Sequence, residues 1–137
     1  MEGLKPLLGE ASGTPFLISH GPPRQDGAQG LDRIHDNANV GDPALAEFLT
    51  KNPVSFGAFA NIGEAGGKAV DSSGKTVVPQ DTLVNSLYVN PGFTDAVQWQ
   101  MLDGTTSEGM VALVTVKGKQ ASYKIKRFGA AAAAPKK

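Results

Sequence analysis

The sequence contains no cysteine, and this absence excludes disulfide bonds, thiolate metal ligands and a thiol nucleophile. Only two histidines are present, so any metal site must rely on histidine and oxygen ligands. No apolar run approaches the roughly 20 residues that span a bilayer. The opening segment has an early acidic residue and a short apolar patch, unlike a signal peptide. We therefore expect a cytoplasmic protein with no membrane partner.

Net charge is also lacking, because thirteen basic and thirteen acidic residues cancel. We find no basic stripe and no nucleic-acid-binding signature, so nucleic acid is not an expected partner. The 137 residues are enough for one domain with a real core. Seventeen glycines and nine prolines indicate many turns and functional loops, without collagen-like or wholly disordered character.

One helix is predicted clearly, over the stretch GDPALAEFLTKNP. Asp42 fits the N-cap and Pro43 fits the first helical position. Leu45, Phe48 and Leu49 follow at helical spacing and make one apolar face. A polar loop of about twenty residues precedes this helix, and loops of that length are usually functional or disordered.

Strands are predicted at TPFLISH, VSFGAFANI and NSLYVNPG, and a hairpin is predicted about Lys117-Gly118-Lys119. The first hairpin strand, Met110 to Val116, is apolar on both faces, which predicts a more central position. TPFLISH is similarly two-sided. The Gly/Ser-rich stretch that follows GEAGG is expected to be a loop that includes a short hairpin.

This order of elements predicts an α/β protein with mixed β-sheets and few helices. One clear helix is too little cover for a sheet of five or six strands buried on both faces. We therefore expect either two packed sheets or cover from another chain. One domain is expected over residues 1–128, followed by a disordered Ala/Pro/Lys tail over 129–137.

Three predicted strands end in polar, turn-forming residues, in SHGPP, ANIGEAGG and NPGFTD. The order of these motifs, with the VGDPALAEFL helix and the closing hairpin, resembles the C-terminal half of calcineurin-like metallophosphoesterases. The resemblance runs from about Thr14 to Phe128. It implies half of a four-layer αββα sandwich. In that family two divalent metals sit at the strand ends and hydrolyse a phosphoester.

The resemblance assigns His20 of SHGPP to a metal-ligand position, and a rigid turn at a strand end would fix its imidazole. In the family's Gly-His-x-His motif, Asn61 stands in place of the first histidine and offers only a weak, neutral amide oxygen. Gly63 stands in place of the second and offers no side chain. Histidines restored at both positions are therefore expected to strengthen divalent-metal binding.

The family's N-terminal metal-binding motifs, Asp-x-His, Gly-Asp-x-x-Asp and Gly-Asn-His-Asp/Glu, are missing from this sequence. One histidine and one amide cannot hold two cations about 3.5–4 Å apart, as two-metal catalysis requires. We therefore expect no catalytic residue in this chain alone. Any cofactor is expected to be a weakly bound divalent metal, namely Mn, Fe, Zn or Ni.

Four further residues are candidates for a substrate pocket: His35, Arg33, Glu64 and Asn90. His35 and Arg33 lie in the long polar loop, which matches a region that borders the pocket in the resembled family. Glu64 is retained from the family's motif, and Asn90 begins a turn whose counterpart packs near the metals. A solvated or turn-forming side chain stays the plain alternative for these residues.

Three functions stay open. The first is a metallophosphoesterase-like, non-catalytic binding or structural subunit. The second is one half of a split metal-dependent phosphoesterase, a hydrolase completed by a separately encoded N-terminal half. The third is a homo-oligomeric binding domain. Each predicts a homodimer or a protein partner that supplies the missing half-domain, with Phe16–Ser19 and Met110–Val116 near the contact, because exposed strand edges and apolar patches mark interfaces.

Overall fold

The computed structural model describes residues 1–129 and has a mixed α/β fold, as predicted. The elements in chain order are α1 (Leu4–Glu10), β1 (Phe16–Ser19), α2 (Pro43–Lys51), β2 (Phe56–Phe59), a 3₁₀ helix (Gly63–Ala65), β3 (Lys68–Val70), β4 (Val77–Val78), β5 (Leu87–Asn90), β6 (Trp99–Gln100), β7 (Thr106–Ser107), β8 (Met110–Lys117) and β9 (Gln120–Arg127). Apart from Gly129, the tail expected to be disordered lies outside the described residues. Within them, neither helix has the length and apolar character needed to cross a membrane.

A five-stranded mixed sheet with the order β1-β2-β5-β3-β4 forms the centre of the molecule. β1, β2 and β5 run parallel, with Leu17 opposite Gly57 and Gly57 opposite Tyr88. β3 runs antiparallel to β5, and β4 antiparallel to β3, so the expected short hairpin is confirmed. The pairs β6–β7 and β8–β9 each form a separate two-stranded sheet. Because three strands are parallel, their carboxyl ends meet at one edge of the sheet.

Helix α2 covers one face of this sheet, and its predicted features are confirmed. Asp42 Oδ1 accepts hydrogen bonds from Ala44 N at 2.7 Å and from Leu45 N at 3.2 Å, and Pro43 is the first helical residue. The apolar stripe predicted for the helix is buried. The core cluster on this face consists of Leu31, Leu45, Phe48, Leu49, Val54, Phe59, Val70 and Tyr88.

The β8–β9 hairpin covers the opposite face. Ala121 and Tyr123 are buried in the second core cluster, and Tyr123 Oη donates to Val78 O at 2.7 Å. The side chains of β9 alternate between the two sides of the hairpin, since these two face the sheet and Lys124 faces out. The remaining buried members of this cluster are Phe56, Ala69, Val78, Leu87 and Val89.

Two expectations about burial are wrong. β8 is not central: it belongs to a two-stranded hairpin, and its Leu113 is 69% exposed. β1 is the edge strand of the five-stranded sheet, and its Ile18 is 78% exposed. The physical reason is that an apolar run shows what a strand can bury, but not whether neighbouring elements are wide enough to cover it.

The long polar loop before α2 is ordered around one buried carboxylate, Asp32. Its Oδ2 accepts hydrogen bonds from Gln25 N and Gly41 N, both at 3.0 Å, and its Oδ1 accepts one from Asn39 Nδ2 at 2.8 Å. Such charge-assisted bonds are the stronger class of protein hydrogen bond. They hold the loop against the domain and keep the adjacent Leu31 in the core.

Candidate functional site

The three strand-end positions singled out from the sequence lie along one edge of the sheet. His20 follows β1, Asn61 lies two residues after β2, and Asn90 is the last residue of β5. Since β2 lies between β1 and β5, Asn61 comes between the other two in strand order. Ala60 N donates to His20 O at 3.0 Å, which joins the first two strand ends.

The side chains at these positions differ in their surroundings. His20 and Asn61 are exposed, and Asn61 has a left-handed backbone with φ +63°, a conformation that asparagine tolerates better than most residues. Asn90 is buried, and both ends of its amide are used. Its Nδ2 donates to Ile62 O at 2.8 Å, and its Oδ1 accepts from Gly92 N at 2.9 Å. Asn90 therefore holds two turns together at this edge.

The residues at this edge do not fit a two-metal centre. Within residues 1–129 there is no group of three or more His, Cys, Asp or Glu side chains that could hold a metal ion. A Cβ atom at Gly63 would overlap the ring of Phe93, which packs on Trp99 with ring centroids 4.7 Å apart. A histidine at position 63 could be accommodated only if the Phe93 ring moved. The expectation that this histidine simply strengthens divalent-metal binding is therefore wrong.

The glycines of EAGG serve a close backbone contact. A Cβ atom at Gly66 would come within 2.6 Å of Gly92 Cα, so the two chain segments meet without side chains between them. Gly67 N donates to Asn90 O at 2.8 Å and fixes this contact. The sequence motif thus has a packing role in the observed fold.

Two of the predicted pocket residues, Arg33 and Glu64, line a common cavity of about 360 Å³. Lys68 and Asp103, which sequence reasoning missed, line the same cavity. Arg33 Nη2 donates to Asn37 Oδ1 at 3.2 Å. His20, Asn61, Asn90 and His35 do not line it, and the exposed His35 places its Nε2 3.0 Å from Gln100 O instead.

The charges around this cavity nearly balance. Burial lowers the pKa of the Lys68 ammonium; Asp103 acts to raise it and the like charge of Arg33 to lower it further. Burial acts to raise the pKa of Asp103, but hydrogen bonds from Thr105 and the charge of Arg127 outweigh it, so this pKa lies below its ordinary value. Two cationic and two carboxylate side chains therefore line the cavity.

A larger cavity of about 550 Å³ lies elsewhere in residues 1–129, and none of the six predicted site residues lines it. Ser55 and Ser86, which precede β2 and β5, contribute to its wall, as do Arg24 and Lys75. It therefore lies toward the amino ends of the parallel strands, away from His20. Cavity size and the sequence motifs therefore point to different ends of the sheet.

Comparison with known proteins identifies no family: no family model, curated protein or solved structure matches this chain. What is established is a small α/β fold with a mixed five-stranded sheet. The phosphoesterase resemblance stays a hypothesis that rests on the order of the motifs and on the sheet edge that their strand ends share.

Proposed function

We propose that this chain is a non-catalytic, metallophosphoesterase-like binding or structural subunit that works with a second polypeptide. It would correspond to the C-terminal half of the αββα sandwich. One observation carries the proposal. The two most exposed large apolar side chains of residues 1–129, Ile18 and Leu113, lie on β1 and β8, which both have an unpaired edge.

The two unpaired edges lie on the same side of the molecule. In the described part of the chain, β1 pairs only with β2, and β8 only with β9. The outer edge of β9 is covered, because Ala121 forms a bridge with Val84. The turn of the hairpin lies beside the segment that leads into β1, where Thr14 Oγ1 donates to Gly118 O at 2.9 Å. The open edge of β8 therefore faces the β1 side.

Open strand edges with exposed apolar side chains favour association, whether the strand is parallel to its neighbour, as β1 is, or antiparallel, as β8 is. Parallel strands are usually covered on both faces, and unpaired edges form templates for another chain. An ordinary specific interface buries about 800 Å² on each partner. The partner is either a second copy of the chain or a protein that supplies the other half-domain.

The lack of metal ligands supports the non-catalytic part of the proposal. His20 is the one histidine at the strand-end edge, Asn61 offers only an amide, and both polar atoms of the Asn90 amide are already hydrogen-bonded to the backbone. A metal needs enough deprotonated ligands to be retained near neutral pH. This edge supplies one strong ligand in residues 1–129.

A second candidate function is the C-terminal half of a split phosphoesterase. The exposure of His20 at the carboxyl ends of the strands favours it, because the imidazole remains accessible to a site completed by another chain. In that case the carboxylates that bridge the metals would come from the partner, and His20 would contribute a single ligand.

The catalytic part of the proposal is tested by assaying an aryl phosphodiester with the chain alone, with manganese or nickel added. We expect no hydrolysis above the metal-only background, because two metals cannot be held. Hydrolysis that requires the metal and disappears in His20→Ala would contradict the proposal. His35→Ala is the matched control, since it removes the other histidine, which lies outside the strand-end edge.

A further inference from the structure

Alternate residues of β8 and β9 point away from the five-stranded sheet and form a surface that we name the hairpin face. It consists of three cross-strand pairs, Val111–Lys126, Leu113–Lys124 and Thr115–Ser122. Leu113 is 69% exposed and Val111 is 37% exposed. Ala112, which lies between them, and Val114, which follows Leu113, pack inward. The hairpin face is therefore an aliphatic strip on β8 next to a strip of ammonium groups on β9.

The hairpin also concentrates the positive charge of the chain. Residues 1–108 contain all thirteen acidic residues and six basic ones, a net charge of −7. Residues 109–137 contain seven basic residues and no acidic residue. Five of them lie in the hairpin: Lys117, Lys119, Lys124, Lys126 and Arg127. The expectation that the sequence has no basic stripe is therefore wrong for this segment, because the balanced total hides the separation of charge.

Little of this charge is neutralised within the described chain. Lys124 Nζ lies 3.5 Å from Asp81 Oδ1, and both side chains are largely exposed, so the pair is weak. Arg127 lies 3.5 Å from Asp103 on the inward side. Lys126 lies over the Phe128 ring, 5.7 Å from its centroid, and has no carboxylate within ion-pair distance in residues 1–129.

We propose that the hairpin face docks an acidic amphipathic helix of a different protein. Apolar residues of the helix would cover Val111 and Leu113, and its acidic flank would meet Lys124 and Lys126. A helix fits better than an added strand, because the exposed side chains lie on the face of the hairpin and the lysines lie one strand away from its open edge. The need for a partner comes from the proposed function, on which this inference rests, and the inference adds the chemistry of that partner.

A second copy of the chain does not supply this occupant. The hairpin face packed against itself would bring the lysines of both copies together, and like charges in an interface are costly. The chain's own helices are used elsewhere: Leu4 and Leu8 of α1 and the apolar stripe of α2 pack against the sheet. Neither helix carries an acidic flank, since α1 ends in one glutamate and Glu47 of α2 pairs with Lys51.

Lipid and nucleic acid fit the hairpin face less well than a protein does. The unpaired N–H and C=O groups along β8 would find no hydrogen-bond partners in an apolar lipid layer. Single-stranded nucleic acids are usually bound by aromatic side chains that stack on the bases, whereas the centre of this face is aliphatic. An acidic helix covers the aliphatic strip and neutralises the lysines at the same time.

The test uses the full chain and a labelled synthetic peptide of about 18 residues that forms an amphipathic helix of leucine, alanine and glutamate. The reference peptide has every glutamate replaced by lysine. Fluorescence anisotropy at low salt should show that the acidic peptide binds at least about tenfold more tightly, a difference worth about 1.4 kcal/mol. Added salt should reduce this preference, because exposed charges are screened over roughly 8–10 Å.

Two variants locate the site. K124E/K126E should abolish the preference for the acidic peptide, and Leu113→Ser should weaken binding of both peptides. The matched control is K5E/K51E, which makes the same change in net charge on the two helices that cover the opposite face of the sheet, and it should retain the preference. Leu113→Ser still tests the site if the double charge reversal fails to fold.

Three results would overturn the inference. The first is equal binding of the two peptides, and the second is a loss of preference in K5E/K51E as large as in K124E/K126E. The third is tighter binding of phosphatidylglycerol vesicles or duplex DNA than of the acidic peptide. Failure here is distinct from failure of the proposed function. A chain that associates in solution but shows no preference for the acidic peptide loses only the inference about partner chemistry.

Discussion

The two faces of the five-stranded sheet are closed to different degrees. On the α2 face, the helix and the loop before it bury a continuous cluster that includes Leu31, Phe48 and Phe59. On the sheet face beneath the hairpin, a layer only two strands wide lies over five strands, and Ala112, Val114 and Ile125 stay half-buried. In residues 1–129 the first face is therefore the more completely covered, and we call it the complete face, although a cavity of about 290 Å³ remains between α1, β1 and α2. The second, incomplete face has room for more structure on the β1 side.

The largest expected effect breaks the complete face. Phe59 is fully buried and packs edge-on against Tyr88, with ring centroids 5.0 Å apart. Phe59→Ala should lower the free energy of unfolding by about 3–5 kcal/mol in urea denaturation. Leu113→Ala, on the outward side of the hairpin, should change it by no more than about 0.5 kcal/mol. Similar losses for the two variants would show that the two faces are not closed differently.

A smaller but still large effect is expected from the carboxylate that orders the loop on the complete face. Asp32→Ala leaves three donors without their acceptor, including Gln25 N and Gly41 N, and should cost about 3 kcal/mol. Asp36→Ala is the matched control, because Asp36 lies in the same loop and is exposed. Equal effects of the two substitutions in urea denaturation would show that Asp32 does not organise the loop.

The two tyrosines sharpen the comparison, because each face buries one. Tyr88 Oη donates to Val54 O at 2.8 Å on the α2 face, and burial raises its pKa to about 12. Burial also raises the pKa of Tyr123, which lies on the sheet face beneath the hairpin. Because the folded state favours the neutral phenols, the two tyrosines contribute their full stabilisation below pH ~10. This contribution to the free energy of unfolding is lost as the pH rises toward the pKa values of the folded state.

Ultraviolet titration separates the two groups, because the chain has no other tyrosine. Phenolate formation in Tyr123→Phe reports Tyr88, and in Tyr88→Phe it reports Tyr123. We expect Tyr88 to ionise at the higher pH, near the alkaline unfolding transition. If Tyr88 ionised near the ordinary tyrosine pKa while the protein was still folded, the α2 face would be more open to solvent than the buried position of Tyr88 indicates.

The complete face is also the part of the fold that sequence reasoning predicted best. Asp42, Pro43 and the apolar spacing of α2 are local signals, and each acts within a few residues of the chain. The short strands β1, β2 and β5 were predicted for the same reason, from apolar runs that end in turn residues. On the other face of the sheet, the hairpin turn was also predicted from a local signal. Gly118 in this turn has φ +61°, which glycine adopts readily.

The incomplete face depends on distances that no local pattern contains. The exposure of Ile18 and Leu113 follows from the width of the covering layer, not from the strands themselves. The two-residue strands β6 and β7 are too short for any period, and their turn brings Asp103 to the cavity with Lys68. The overlap between a side chain at Gly63 and Phe93 likewise depends on two segments that meet only in the fold.

The most direct test of partner dependence is the mass of the full chain in solution, measured by light scattering at micromolar concentration. We predict a species of at least twice the 14.2 kDa of a single chain, because the edges of β1 and β8 and the side chain of Ile18 require cover. Ile18→Lys should shift this species toward the monomer, whereas Lys51→Ala on the opposite face should not. A monodisperse monomer of 14.2 kDa with a cooperative thermal melt would contradict the account.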